Sequence, residues 1–172
     1  MPSAKHSPVP LASESNGPTK QIADRPDLSK IAQMVEECAC LQLRKATRVI
    51  TQLYDGALRP SDVLITQLPI LATLSLRGPT AITILAEELV MDRSALARNL
   101  KPLLKRRLIE IVPGKDQRTR EVTLTETGQD ALARAIPLWQ RAQDKVVEGI
   151  GDEQLGALQR ATSAVLQGFS RS

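Results

Sequence analysis

From Asp92 to Arg107 the chain carries a helical repeat whose two faces cannot share one environment, so the segment must lie at a surface with one side sealed. With Leu96 as reference on a 100° wheel, Leu100 and Leu103 fall within about 40° and Leu104 within about 80°. Ser94, Arg98, Lys101 and Lys105 lie opposite. Asp92 precedes the repeat and can accept from the free N–H groups of the first turn, which places a helix start there and an end near Arg107. Pro102 sits inside this pattern. It removes one backbone hydrogen bond and crowds the carbonyl of Arg98, which predicts a kink, either a locally tolerated bend or one that aims the N-terminal half of the helix.

Charge is concentrated in the same region. The whole chain is +4, yet nine basic residues against Asp92, Glu110 and Asp116 give the window Met91 to Arg120 a charge of +6 and leave −2 for the rest. A surface that only needs to be wet mixes its signs more evenly. A concentrated cationic stretch suits an anionic partner.

The neighbouring segments give this helix a context. Pro60, Ser61 and Asp62 mark the start of a helix over Val63–Leu76, bent by Pro69 and ended by Arg77-Gly78-Pro79. Thr80 is expected to cap a third helix running to Val90. After Leu108 two β-prone runs, Ile109–Val112 and Glu121–Leu124, flank a charged loop with a glycine, which predicts a hairpin with a basic tip. Thr125 caps a further helix with Pro137 inside it, and Asp152 starts the last. Helix, short connection, cationic helix and hairpin is the order of a winged helix-turn-helix, whose second helix enters the DNA major groove. Near its N-terminus, Ser94, Ala95, Arg98 and Asn99 have the chemistry for base edges. Arginine offers a fork to guanine, asparagine one to adenine, and alanine a methyl to thymine. Arg93, Lys101 and Lys105, with whichever of Arg106 and Arg107 is exposed, suit phosphates.

Both ends of the chain are helical or unstructured by pattern. Residues 1–26 hold Pro2, Pro8, Pro10, Pro18 and Pro26 among Ser, Asn and Gly and are expected to form a disordered arm; an alternative use is phosphate contact through Lys5, His6 and Lys20. From Ser29 to Asp55 no proline or glycine interrupts, and one long helix is predicted. Ile31, Val35, Cys38, Val49 and Leu53 share one face and Cys40, Leu43, Ile50 and Tyr54 the other, so it should be packed on two sides. Cys38 and Cys40 would point about 200° apart on such a helix and could not pair with each other. Arg44, one turn beyond Cys40, favours a thiolate there, whereas Glu36 and Glu37 oppose it. Buried inert thiols, an intersubunit disulfide and a sulfenic acid all remain open readings.

The segment "LAEELVMDRSALARNL" followed by "RRLIEIVPGKDQRTREVTLTETG" resembles the winged-helix core of the MarR family of bacterial transcriptional regulators. Its specific part is the Asp-x-Arg of the wing, Asp116 and Arg118, followed by "VTLTETG". The resemblance extends over roughly Ser29 to Phe169. It implies a mostly α fold with a small β-hairpin wing, in which about 60–125 form the DNA-binding lobe of a single domain over 27–172. Helices over about 29–58 and 126–170 would serve dimerisation. It also implies that Arg118 enters the minor groove, whose negative potential favours a cation. Asp116 would order the wing tip by pairing with a neighbouring basic group, and Lys115 and Arg120 would flank phosphates.

Members of that family resemble one another in forming two-fold dimers. Ile136, Leu138, Trp139, Val146 and Ile150, with Leu155, Leu158, Val165, Leu166 and Phe169, are more apolar surface than a monomer needs. The resemblance further implies a small-molecule effector, typically an apolar or aromatic acid, with Arg44, Tyr54 and Trp139 the candidates to line its pocket and Arg44 to meet a carboxylate. The expected partners are therefore double-stranded DNA, a second copy of the chain and such an effector, with thiol-based redox control or a protein-binding helix-turn-helix as alternatives. No cofactor is expected. No run approaches the length of a membrane span and no secretory leader is visible, which points to the cytoplasm. An enzyme is disfavoured: there is no Gly-rich phosphate loop, and the single histidine, His6, lies in the arm. Two cysteines with that histidine make no zinc ligand set.

Overall fold

A computed structural model describes residues 26–114, 116 and 119–169. The predicted arm as far as residue 25, together with Lys115 and Arg118, therefore lies outside the described residues. By contacts the described residues divide into two units, the first ending at Gln42 and the second beginning at Leu43.

In the first unit, helix α1 (Leu28–Glu37) starts on Asp27, whose carboxylate accepts from Ser29 N–H at 2.9 Å. The single long helix expected over Ser29–Asp55 is not formed. Cys38 takes an extended conformation with ψ 104° and ends α1, and helix α2 (Ala39–Leu58) begins at the next residue. The carbonyls freed at the break find partners, since Gln42 donates its side-chain N–H to the Glu36 carbonyl and its backbone N–H to that of Cys38. Uninterrupted helical propensity is a weak preference, and a break with satisfied carbonyls overrides it.

In the second unit the remainder of α2 leads through a 3₁₀ turn (Arg59–Ser61) to α3 (Leu68–Arg77). The helix predicted from Val63 starts five residues later. Pro69 does not bend it, because the proline occupies the first turn, where no intrahelical N–H is missed. Thr80 does not cap a helix either. With Ala81 it forms strand β1, its hydroxyl donates to the Gly78 carbonyl at 2.9 Å, and α4 (Ile82–Glu88) begins without a side-chain cap. Helix α5 (Arg93–Lys105) starts on Asp92 as expected and runs through Pro102 without interruption. Strands β2 (Ile109–Pro113) and β3 (Arg120–Leu124) form the hairpin, with Ile111 opposite Val122. Strand β1 adds to β3, giving the antiparallel order β1-β3-β2. The third strand is only two residues long, too short for alternation to show it in the sequence.

Helix α6 (Glu126–Ile150) is capped by the Thr125 hydroxyl, which accepts from Gly128 N–H at 3.0 Å. Gly151 ends it with a positive φ of 81°, and α7 (Asp152–Phe169) follows. One core holds this unit together, with Leu58, Ile70, Leu71, Leu74, Leu85, Leu96, Leu103, Ile109 and Val122 essentially sealed from solvent. Such burial contributes roughly 1.5–3 kcal/mol per large apolar side chain. No residue of α7 is buried, and Leu158, Val165, Leu166 and Phe169 are exposed.

Candidate nucleic-acid interface and an apolar cavity

The core fixes which way α5 faces. Leu96, Leu100 and Leu103 are buried under it and Leu104 is half-buried, so Arg93, Ser94, Arg98, Lys101 and Lys105 are left on the exposed side. Helix α4 and α5 are joined through Met91, whose N–H donates to the Ala86 carbonyl at 2.8 Å, with Val90 in the left-handed region at φ 51°.

The first turn of α5 is internally organised. Asp92 Oδ1 accepts from Ala95 N–H at 2.7 Å and from the Ser94 hydroxyl at 2.6 Å. The Ser94 hydrogen bond, then that of Ala95, hold the Asp92 carboxyl below the usual carboxylate range. Ser94 Oγ in turn accepts from Arg98 at 3.0 Å, which draws the guanidinium back toward the start of the helix. Asp92, Ser94 and Arg98 thus form one chain of hydrogen bonds that sets the arginine before any ligand arrives. Asn99 is placed differently. It is half-buried and its side-chain amide donates to the Ala95 carbonyl at 3.0 Å, so it would have to leave that bond to read a base.

Of the two arginines after α5, Arg107 is exposed and takes a positive φ of 55°. Arg106 is half-buried, donates to the backbone carbonyl of Asp62 and lies 3.5 Å from its carboxylate. It belongs to the fold rather than to the cationic face, which no spacing rule could reveal because its partner lies in a different turn. In the wing, Arg120 is exposed on β3. The carbonyl of Asp116 accepts from both the backbone N–H and the hydroxyl of Thr119, at 2.8 and 2.7 Å, and Gly114 N–H donates to the Thr119 carbonyl at 3.0 Å.

Below this lobe a cavity of about 440 Å³ opens between α3 and α6. Ile65, Leu68, Pro69, Ala72, Ser75 and Leu76 line one side and Leu132, Ile136 and Trp139 the other. Of the three residues expected around an effector, the structure brings only Trp139 here. Tyr54 is buried in the core with its hydroxyl donating to Gln143, and burial raises its pKa. Arg44 is exposed on α2. The aliphatic lining was missed because in sequence it reads as ordinary core; only the exposure of Leu76 and Ile136 in the folded chain sets it apart. Cys38 is half-buried and Cys40 exposed within this chain.

Neither a protein-family model nor a curated protein matches the chain. Solved structures do. The Mycobacterium tuberculosis transcriptional regulator MosR is 34% identical over 76% of this chain and 98% of its own, with a TM-score of 0.63. A second structure of that protein, in complex with DNA, is 36% identical over 75% of this chain and 98% of its own, also at 0.63. The same fold recurs in the transcriptional repressor CouR bound to p-coumaroyl-CoA (TM-score 0.71, 23% identity, 79% of this chain and 96% of that one). It recurs again in a mutant Escherichia coli MarR complexed with operator DNA (0.69, 21%, 82% and 99%).

The chain belongs to the MarR family of winged-helix transcriptional regulators. In this MarR family fold the β2–β3 hairpin is the wing. No helix among the described residues is long and apolar enough to cross a membrane.

Proposed function

We propose that this MarR family member is a cytoplasmic, homodimeric repressor that binds a pseudo-palindromic operator and releases it when a small molecule binds. The observation that carries the reading is the division of α5. Its leucines are sealed in the core while Arg93, Ser94, Arg98, Lys101 and Lys105 face solvent. Arg98 and Ser94 read base edges, with Ala95 against a thymine methyl and Asn99 joining once it leaves the Ala95 carbonyl. Arg93, Lys101, Lys105 and Arg120 meet phosphates, as does Lys115, and Arg118 enters the minor groove. The exposed apolar residues of α7 supply the surface for a second copy. The twin recognition helices then meet half-sites about 34–36 Å apart. That MosR, 36% identical, has been solved in complex with DNA supports the DNA-binding part of this reading.

Fluorescence anisotropy of labelled upstream DNA across a salt series tests this. Six to ten phosphate contacts correspond to a loss of about 10³–10⁵ in affinity between roughly 50 and 200 mM salt. A flat response, or no binding at the low-salt end, removes the DNA reading in favour of a protein-binding module.

One observation favours a second reading, thiol control. The break at Cys38 takes that residue out of the helix that would have held the two thiols apart, and Cys40 is exposed. Peroxide-driven DNA release that survives in the wild type and disappears in Cys38→Ser or Cys40→Ser supports it; release unchanged in both variants excludes it.

A further inference from the structure

We infer that the cavity between α3 and α6 takes a neutral, largely apolar aromatic molecule and rejects a carboxylate of the same shape. The inference rests on the ligand-responsive reading above and narrows the ligand class. At about 440 Å³ the cavity lies within the usual range for small-molecule sites. None of its nine lining residues is charged. Leu68, Ala72 and Leu132 offer aliphatic wall, Trp139 an indole for offset stacking, and Ser75 a single hydroxyl. Arg44, the cation that the sequence offers to an acid, does not line it. An ionised carboxylate that passes the exposed Leu76 and Ile136 to reach the apolar walls would give up hydration there and gain at most one hydroxyl donor. A phenol or aromatic ketone has one polar atom, which Ser75 can satisfy, and leaves its ring to the apolar walls.

Trp139 is the chain's single tryptophan, so its emission reports occupancy of the cavity without DNA present. The probes are para-butylphenol, neutral at about pH 7 because phenols ionise near pH 10, and para-butylbenzoate, ionised there. Each is titrated into the full chain, with excitation at the red edge of the indole band and calorimetry in parallel. The phenol is expected to shift Trp139 emission saturably and to bind at least about a hundredfold more tightly than the benzoate. Leu76 is 88% exposed, so Leu76→Lys preserves the fold while placing a cation at the cavity; it should bring the benzoate to within about tenfold of the phenol. Ala72→Phe, which fills the cavity, should abolish binding of both.

Benzoate binding as tight as the phenol overturns the inference, as does emission that neither probe moves. Phenol binding that weakens as protein concentration rises also overturns it, because a second copy then competes for the cavity. Phenol binding that leaves labelled DNA bound would uphold the cavity chemistry and remove the ligand-responsive reading. Failure of the ligand-free chain to bind labelled DNA, with phenol binding in the cavity intact, removes the operator reading alone.

Discussion

Arg106, the residue that closes α5, is tied to Asp62, which ends the 3₁₀ turn forty-four positions earlier: it donates to the Asp62 carbonyl, and its guanidinium lies 3.5 Å from the carboxylate. Asp62 holds a left-handed conformation, φ 63°, which aspartate tolerates better than most residues. The cation is therefore engaged inside the protein, while its near neighbours Lys101 and Lys105 face water.

This separation predicts different salt behaviour for adjacent cations. Lys105→Ala should reduce the slope of log affinity against log salt by about 1. Arg106→Ala should leave the slope unchanged and instead lower thermal stability by at most about 1 kcal/mol, since the pair is partly exposed. Anisotropy across a salt series, with calorimetric melting beside it, reads both.

Arg98 is expected to carry sequence discrimination. Arg98→Ala should cost about 1–3 kcal/mol on the preferred operator and far less on DNA altered at the contacted base pair. Ser94→Ala should produce a smaller loss of the same kind, because it releases the guanidinium from its 3.0 Å hydrogen bond without removing it. A selection experiment on randomised half-sites, compared between wild type and variants, measures the effect; equal losses on every sequence would assign Arg98 to a phosphate.

The Asp92 cap on α5 should make its stability acid-sensitive. The folded-state pKa of Asp92 is depressed below the ordinary 3.8, so its contribution is present above that value and is lost as pH falls through the depressed one. Asp92→Asn keeps a capping side chain that does not titrate. Melting curves should show a wild-type decline in that acidic window that is shallower in Asp92→Asn, and Asp92→Ala should be destabilised at neutral pH.

Gly128, in the first turn of α6, is held by close approach rather than by backbone strain. A Cβ there would collide with the Leu108 carbonyl oxygen and stand 2.6 Å from a Leu124 methyl. Thr125 fixes the same junction, its N–H donating to the Leu108 carbonyl and its hydroxyl to that of Arg107. Gly128→Ala should therefore cost about 1–3 kcal/mol in urea unfolding, with the midpoint moving and the slope unchanged.

Tyr54 offers a test of where the effector goes. Tyr54→Phe removes the hydroxyl donated to Gln143 and should cost about 1 kcal/mol of stability. Phenol binding, monitored by Trp139 emission, should not change, since Tyr54 does not line the cavity.

Rules that act within one or two turns were sufficient for α5, for the hairpin and for the start of α6. The Asp92 and Thr125 caps, the leucine period from Leu96 to Leu103, and the β-prone runs on either side of the glycine-containing loop are each read from neighbours along the chain. Those signals also placed Arg98, Lys101 and Lys105 on the outside, because burying the leucines leaves a helix no other way to turn. Strand β1, the Arg106–Asp62 contact and the cavity around Trp139 depend on groups distant in sequence. A two-residue strand exists only because β3 lies beside it. An arginine is inward or outward according to which carboxylate packing brings near, and an apolar residue lines a void or fills a core according to what its neighbouring helix presents. Periodicity orients one helix about its axis and carries no information on what another segment sets against it.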